Sequence, residues 1–341
     1  MDEDEGAFTY NGGRVDPGEV QNLRYSISET YLGDPIRVPV TIINGSRPGP
    51  TLFMSAAAHG DELNGIEVVR EVAHEWDHTD LAGTLVCLPV LNVPGFLFQQ
   101  RYMPIYDRDL NRSFPGSPTS TSARRIAHQI YANFIDPCDV GLDFHTSTRG
   151  RTNMLHVRAD MDDEQTARLA RGFGSNVIIA GSGPEGTLRR EATDAGIPTI
   201  TIEMGEAHRF QRDLIDEALS GVESVMAEFG MRETGAVTWP GWRTVIDSDE
   251  KTWIRADAGG LVEMLHDSGS LVEEGEVICT IANPFKTEHV DVRAPFDGLL
   301  VGVLENPVVY PGNPLCHLVA LDGDTQRAFL QSGASPRHAD E

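Results

Sequence analysis

From about Ile36 to Phe229 the chain alternates short apolar runs with amphipathic segments, and that alternation restricts the fold more than any other feature. IRVPVTII, PTLFMSAAA, GTLVCLPVLN, VGLDFHT, NVIIAG and TITIEMG have the length and composition of strands. Between them helices are predicted near Asp61–Trp76, with Leu63, Ile66 and Val69 at helical spacing, and near Ser122–Phe134, Asp163–Arg171 and Asp213–Phe229. Strands this apolar need cover on both faces, so the expectation is an α/β domain whose parallel or mixed sheet is layered by helices.

The pattern changes at TGAVTWPGW, which has the Gly and Pro of a linker. Beyond about Val245 short strands separated by Gly, Pro and Asp dominate (GGLVEMLHD, EVICTIAN, EHVDVRAP, GLLVGVLEN, LCHLVAL), which predicts a small all-β barrel or sandwich. The organisation expected is an N-terminal extension over 1–35, an α/β domain over 36–238, a β-rich domain over 245–321 and a polar, frayed tail over 322–341.

Charge narrows the function classes. With 27 basic against 52 acidic side chains in 341 residues, the formal charge is −25, which disfavours nucleic acid and anionic lipid as partners. Lys251 and Lys286 are the two lysines; an acidic, arginine-dominated composition suits concentrated salt, where charges are screened over about 3 Å at 1 M. The N-terminus MDEDEGAFTYNGG has neither the basic nor the apolar region of a signal peptide, and no run approaches 18 apolar residues. Cys87, Cys138, Cys279 and Cys316 form no CxxC pair, so a reducing cytoplasm is expected.

Four polar clusters sit at expected strand ends or between them, where ligands gather in open α/β sheets. In AAAHGDE, His59 and Glu62 follow a buried strand at a helix start, with i, i+3 spacing that lets both grip one ion. In LDFHT, His145 ends another apolar strand, and two His with one Glu is a recurring catalytic zinc set. TIEMG ends in Glu203, either a salt-bridged strand-end carboxylate or a general base for metal-bound water. The loop RYMPIYDRDLNRSFPG offers Arg101, Arg108, Asn111 and Arg112, and guanidinium forks suit a carboxylate.

In this order HGDE, DLNRSFPG, DFHT and IEMG resemble the succinylglutamate desuccinylase and aspartoacylase family of zinc hydrolases, relatives of the zinc carboxypeptidases, over about residues 36–320. The resemblance implies a carboxypeptidase-like mixed sheet flanked by helices, with a barrel-sandwich-like C-terminal domain. It implies one zinc per chain on His59, Glu62 and His145, and Glu203 as the base that activates water and later protonates the leaving amine. Asn111 and Arg112 would hold a substrate carboxylate; Arg101 would polarise the scissile carbonyl, with Arg108 as competitor. The activity implied is hydrolysis of the amide of a small N-acyl amino acid by a deacylase, with homo-oligomerisation an expectation of the same kind.

Other residues are read more plainly. His74, His78 and His128 belong to helices or their exits, His156 to a strand, and Arg190 with Arg189 to a helix start; His208 and Tyr310 are possible pocket residues and Thr146 a neighbour of the metal set. GSLVEEGEVICTIANPF and VRAPFDGLLV resemble biotinyl and lipoyl carrier domains, with Lys286 at the hairpin but without the flanking residues of a modified lysine. A capping role follows, leaving a peptide-trimming metallocarboxypeptidase as the enzymatic alternative and a non-catalytic binding or carrier protein as the alternative of another class.

Overall fold

The apolar run around Phe53 becomes the middle of a large sheet, as its composition requires. The computed structural model describes residues 6–104, 107–233, 237–247, 250–285 and 287–331. The first part of the chain runs β1 (Phe8–Tyr10), β2 (Gly13–Val15), β3 (Val20–Glu29), β4 (Pro35–Asn44), β5 (Arg47–Ala56), α1 (Asn64–His74), β6 (Ala82–Leu88), α2 (Val93–Leu97) and α3 (Ser122–Ile130). Then come β7 (Val140–Ser147), β8 (Arg151–Ala159), α4 (Glu164–Phe173), β9 (Val177–Ala180), α5 (Leu188–Asp194), β10 (Thr199–Glu206) and α6 (Arg212–Glu228). The remainder is β11 (Thr244–Ile246), β12 (Lys251–Arg255), β13 (Gly260–Met264), β14 (Leu271–Val272), β15 (Val277–Ala282), β16 (His289–Arg293), β17 (Gly298–Leu304), β18 (Val308–Val309), β19 (Pro314–Ala320) and α7 (Gly323–Gln331).

Thirteen described strands form one mixed sheet in the order β12-β19-β17-β8-β10-β7-β5-β6-β4-β3, with β9, β11 and β14 attached beside that path. The centre is parallel: β10 on β7, β7 on β5 and β5 on β6. Helices cover both faces. On one, Val68, Val69 and Val72 of α1 join residues of α4 and α6 against Leu52, Met54 and Leu142; full burial of a valine side chain is worth about 1.5–3 kcal/mol. On the other, Ala123, Ile126 and Ile130 of α3 pack with Phe134 and with Leu188 of α5 against Phe53 and Val86. Asp163 caps α4 by accepting from the Thr166 amide (2.7 Å), a local sequence signal that matches the helix start.

Four differences from the sequence expectation have physical reasons. The segment read as an N-terminal extension contains β3, a ten-residue edge strand whose side chains alternate in burial and which pairs along β4. The helix expected from Asp61 starts at Asn64, so His59 and Glu62 lie in the turn before it. The predicted Ser122–Phe134 helix gives way at Tyr131–Ile135 to a π-helical turn. Within the tail read as frayed, Gly323–Gln331 form α7, held because Phe329 is buried edge-to-face on Trp242 with ring centroids 5.3 Å apart.

The β-rich C-terminal part divides in two. Strands β16-β15-β13-β18 make a separate four-stranded antiparallel sheet. Strands β17, β19 and β12 instead continue the large sheet, with β17 antiparallel to β8 through Gly302↔Asn153 and Leu304↔Arg151. That junction brings Trp253, Arg255 and Pro314 of β12 and β19 to the cleft at the carboxyl ends of β5 and β7. Among the described residues no helix is long and apolar enough to cross a membrane.

Candidate active site

His59, Glu62 and His145 converge at the carboxyl ends of β5 and β7, all three buried. The turn that delivers the first two is tightly held. Ala57 takes a left-handed φ of +47°, and Gly60 passes so close to α2 that a Cβ would sit 2.0 Å from the Gly95 carbonyl carbon. Gly65 likewise lets α1 press on β7, since its Cβ would lie 2.4 Å from that of Phe144.

Glu62 joins the two imidazoles. Its Oε1 is 2.9 Å from Nδ1 of His59, and its Oε2 is 2.9 Å from Nδ1 of His145 and accepts from the Thr146 amide at 3.0 Å. One donor atom from each of the three residues fits within 4.8 Å of the others. The far nitrogens are held by carboxylates: His59 Nε2 is 3.2 Å from Asp109 Oδ1, and His145 Nε2 is 2.9 Å from Asp143 Oδ2. Asp143 is fully buried, and its other oxygen accepts from Ser55 Oγ at 2.8 Å. Carboxylate–imidazole pairs of this kind fix ring orientation and raise the basicity of the nitrogen facing a metal.

The electrostatics match. Burial alone would depress both histidines, but Glu62 and Asp109 raise His59 above its ordinary value, and Asp143 and Glu62 hold His145 well above it. Burial would likewise raise Glu62, yet the two imidazoles hold it well below the usual carboxylate range. The set is therefore built to concentrate negative charge on a cationic partner. His59 Nδ1 is buried and, although 2.9 Å from Glu62 Oε1, has no partner in hydrogen-bond geometry. Two imidazoles, one carboxylate and an orphaned ring nitrogen fit a divalent metal ion.

The other sequence-derived residues line the same cleft, of about 380 Å³: Arg101, Asn111, Arg112 and Glu203. Arg101 Nη1 reaches Glu62 Oε1 at 2.7 Å, whereas Arg108 is exposed and lies away from the cleft lining. Asn111 is anchored at both ends, its amide N–H on Asp109 Oδ1 (2.8 Å) and its Oδ1 on the Leu188 amide (2.8 Å), with Nδ2 3.3 Å from His145 Nε2. Glu203 is gripped on each oxygen, Oε2 by Asn153 Nδ2 and Oε1 by Arg158 Nε, both at 3.2 Å. Tyr310 is 80% exposed and His208 faces Asp61 at 3.8 Å; neither lines the cleft, and Lys286 lies outside the described residues.

Sequence reasoning passed over Asp143, Asp109, Asn153, Arg158, Arg151, Trp253 and Arg255. For Asp143 a signal existed, because residues i and i+2 of a strand share a face and DFH puts it beside His145. Trp253 and Arg255 arrive through the β8–β17–β19–β12 pairings, which no local pattern encodes.

With that geometry in place, comparison with known proteins is decisive about family. The profile of the succinylglutamate desuccinylase/aspartoacylase catalytic domain matches residues 48–229, more than half of the chain and the whole segment that carries the cleft's first four motifs. The chain belongs to that family. This family member is 25% identical over 278 residues to the N-alpha-acetyl-L-2,4-diaminobutyric acid deacetylase of Halomonas elongata, covering 78% of this chain and 80% of that protein. Its fold is shared with a succinylglutamate desuccinylase from Silicibacter (TM-score 0.78, 24% identity, 88% of this chain and 95% of that one). It is shared also with the product-bound ectoine utilization protein EutE of Ruegeria pomeroyi (TM-score 0.77, 22% identity, 89% and 95%).

Proposed function

We propose that this member of the family is a zinc-dependent deacylase that hydrolyses the amide of a small N-acyl amino acid. One convergence carries the reading: the His59–Glu62–His145 donor set and Glu203, Arg101, Asn111 and Arg112 face a single cleft. His59, Glu62 and His145 would hold one zinc ion per chain. When bound, zinc lowers the pKa of a coordinated water to about 7 and polarises a carbonyl oxygen.

Glu203 acts as the base. It takes a proton from the attacking water, whose oxygen bonds to the amide carbonyl carbon. It returns that proton to the amide nitrogen as the C–N bond breaks, so the acid and the amine leave. Asn153 and Arg158 aim the carboxylate for both transfers. Arg101, beside Glu62, is the donor for the developing oxyanion, a contribution typically worth about 3–4 kcal/mol. Asn111 and Arg112 take a substrate carboxylate, with the Asn111 side chain held in place through its Oδ1.

The α/β part, about residues 36–238, carries the chemistry, and the β-rich part, about 245–321, caps it. Trp253, Arg255 and Pro314 line the cleft alongside the metal set, which favours small substrates over the open groove a peptidase needs. The four cysteines are free thiols buried in the fold, in keeping with a reducing cytoplasm. The test is amine release from a panel of N-acetyl and N-succinyl amino acids in high salt, against peptides with free carboxyl termini. Turnover of the first group and not the second supports a deacylase; preference for peptides overturns it in favour of a carboxypeptidase.

A further inference from the structure

The cleft is polar along most of its wall, and among the described residues its apolar lining is Pro184, Trp253 and Pro314. Trp253 and Pro314 belong to β12 and β19, strands that the C-terminal part adds to the large sheet. Trp253 lies flat on His317, with ring centroids 4.6 Å apart and 5° between the planes, and the two are register partners across those strands. His317 is buried, and burial with the charges of Arg158 and Lys251 pushes its pKa down to about 3, so the ring beneath the indole is uncharged at neutral pH. Trp253 itself is 41% exposed, so its stacked face points into the protein and its other face into the cleft.

That second face is left open. Elsewhere in the chain Arg232 lies over Trp76 at 5.3 Å, Arg243 lies over Trp239 at 4.8 Å, and Phe329 packs edge-on against Trp242. Arg255 is two residues beyond Trp253 and lines the same cleft, yet among the described residues no guanidinium lies over this indole. A rigid apolar ring kept clear of cations in a basic cleft suits an uncharged aliphatic or aromatic group. The strand ladder sets how long that group must be. Asn153, which donates to Glu203, is in register with Gly302, Gly302 with His317 and His317 with Trp253. Three strand spacings of about 4.8 Å separate the ends of that row, so a methyl group beside the reacting amide falls short of the indole and a chain of several carbons reaches it.

We propose that Trp253 is an apolar platform that selects substrates carrying an aliphatic or aromatic group of several carbons, with His317 as the positioning residue that fixes the plane of the indole. The inference rests on the deacylase reading and deepens it. The group is carried either on the acyl chain or on the amino-acid side chain; the recognising chemistry is the same.

The experiment measures kcat/KM of the zinc-loaded protein for two series: alanine acylated with acetyl, butyryl and hexanoyl groups, and the N-acetyl derivatives of alanine, norvaline and norleucine. At least one series is expected to climb about tenfold or more from its shortest to its longest member, at about fourfold for each methylene that reaches the ring. A climb in the first series places the group on the acyl chain, and a climb in the second places it on the amino acid. Trp253→Ala flattens the rising series, and so does Trp253→Gln, whose planar amide still covers the imidazole and keeps the test valid if the alanine variant misfolds. His317→Ala weakens the climb and His317→Phe, which retains a flat ring, restores it; a climb unchanged in His317→Ala overturns the positioning role. Two flat or falling series, or a climb that survives the Trp253 substitutions, overturns the platform. Hydrolysis of neither series overturns the deacylase reading instead. In that event calorimetry with hexanoate and acetate decides the platform: tighter hexanoate binding that Trp253→Gln abolishes supports it, and equal binding overturns it.

Discussion

Glu203 and His145 are register partners on adjacent parallel strands, β10 and β7. A one-residue slip in that pairing would send one of them to the opposite face of the sheet, so the relation between the proposed base and the proposed metal ligand is set by the strand ladder and not by a loop. Such a base can be neutralised without disturbing the ligands. Glu203→Gln is expected to retain stoichiometric zinc while kcat falls by about 10²–10⁴. Metal analysis and steady-state kinetics on the same sample check it; turnover near wild type would remove Glu203 from the mechanism.

Asp143 lies beneath His145 with Ser55 on its second oxygen. Asp143→Asn keeps the shape but removes the charge that orients the ring. Zinc affinity should fall about 10–100-fold, read by competition with a coloured chelator. An unchanged affinity would mean that the ring is oriented by packing alone.

The turn before α1 tolerates no side chain at Gly60, where a Cβ would meet the backbone of Gly95 at 2.0 Å. Gly60→Ala must therefore push α2 away and shift His59 with it. Overpacking of this kind typically costs about 1–3 kcal/mol. A lowered Tm accompanied by reduced zinc content is the expected result, and a normal Tm with full zinc would contradict the close approach.

Acid sensitivity has an identifiable source in His317, which stacks on Trp253 with centroids 4.6 Å apart. Burial, with help from Arg158 and Lys251, pushes its pKa down to about 3. Unfolded, the ring would take a proton near its ordinary value of 6.5, so the unfolded chain binds more protons between those two values. Stability from this residue is therefore lost as pH falls from about 6.5 toward 3, on the order of a few kcal/mol, and nothing more is lost below that. His317→Phe should flatten the decline of Tm over that range; an unaltered slope would assign the acid sensitivity elsewhere.

The α/β core and the candidate residues that the fold gathers in one cleft were legible because each sits at the end of an apolar run, where strand periodicity and ligand chemistry coincide: His59 after PTLFMSAAA, His145 in VGLDFHT, Glu203 in TITIEMG. What escaped depends on long-range pairing. β3 reads as ordinary polar chain because only alternate side chains face inward, and α7 is held by Trp242, more than eighty residues before its own Phe329. Arg151 and Arg255 are ordinary surface arginines in the sequence; they become cleft residues once β8, β17, β19 and β12 are laid side by side.

A metal held by His59, Glu62 and His145 is proposed to drive amide hydrolysis. The most direct measurement of this is metal removal and restoration on one preparation, following amine release from the best N-acyl amino acid substrate. About one zinc per chain is expected at the start, with loss of activity on adding a chelator and recovery in proportion to zinc returned until one ion per chain is reached. Full activity in chelated, zinc-free protein would contradict it.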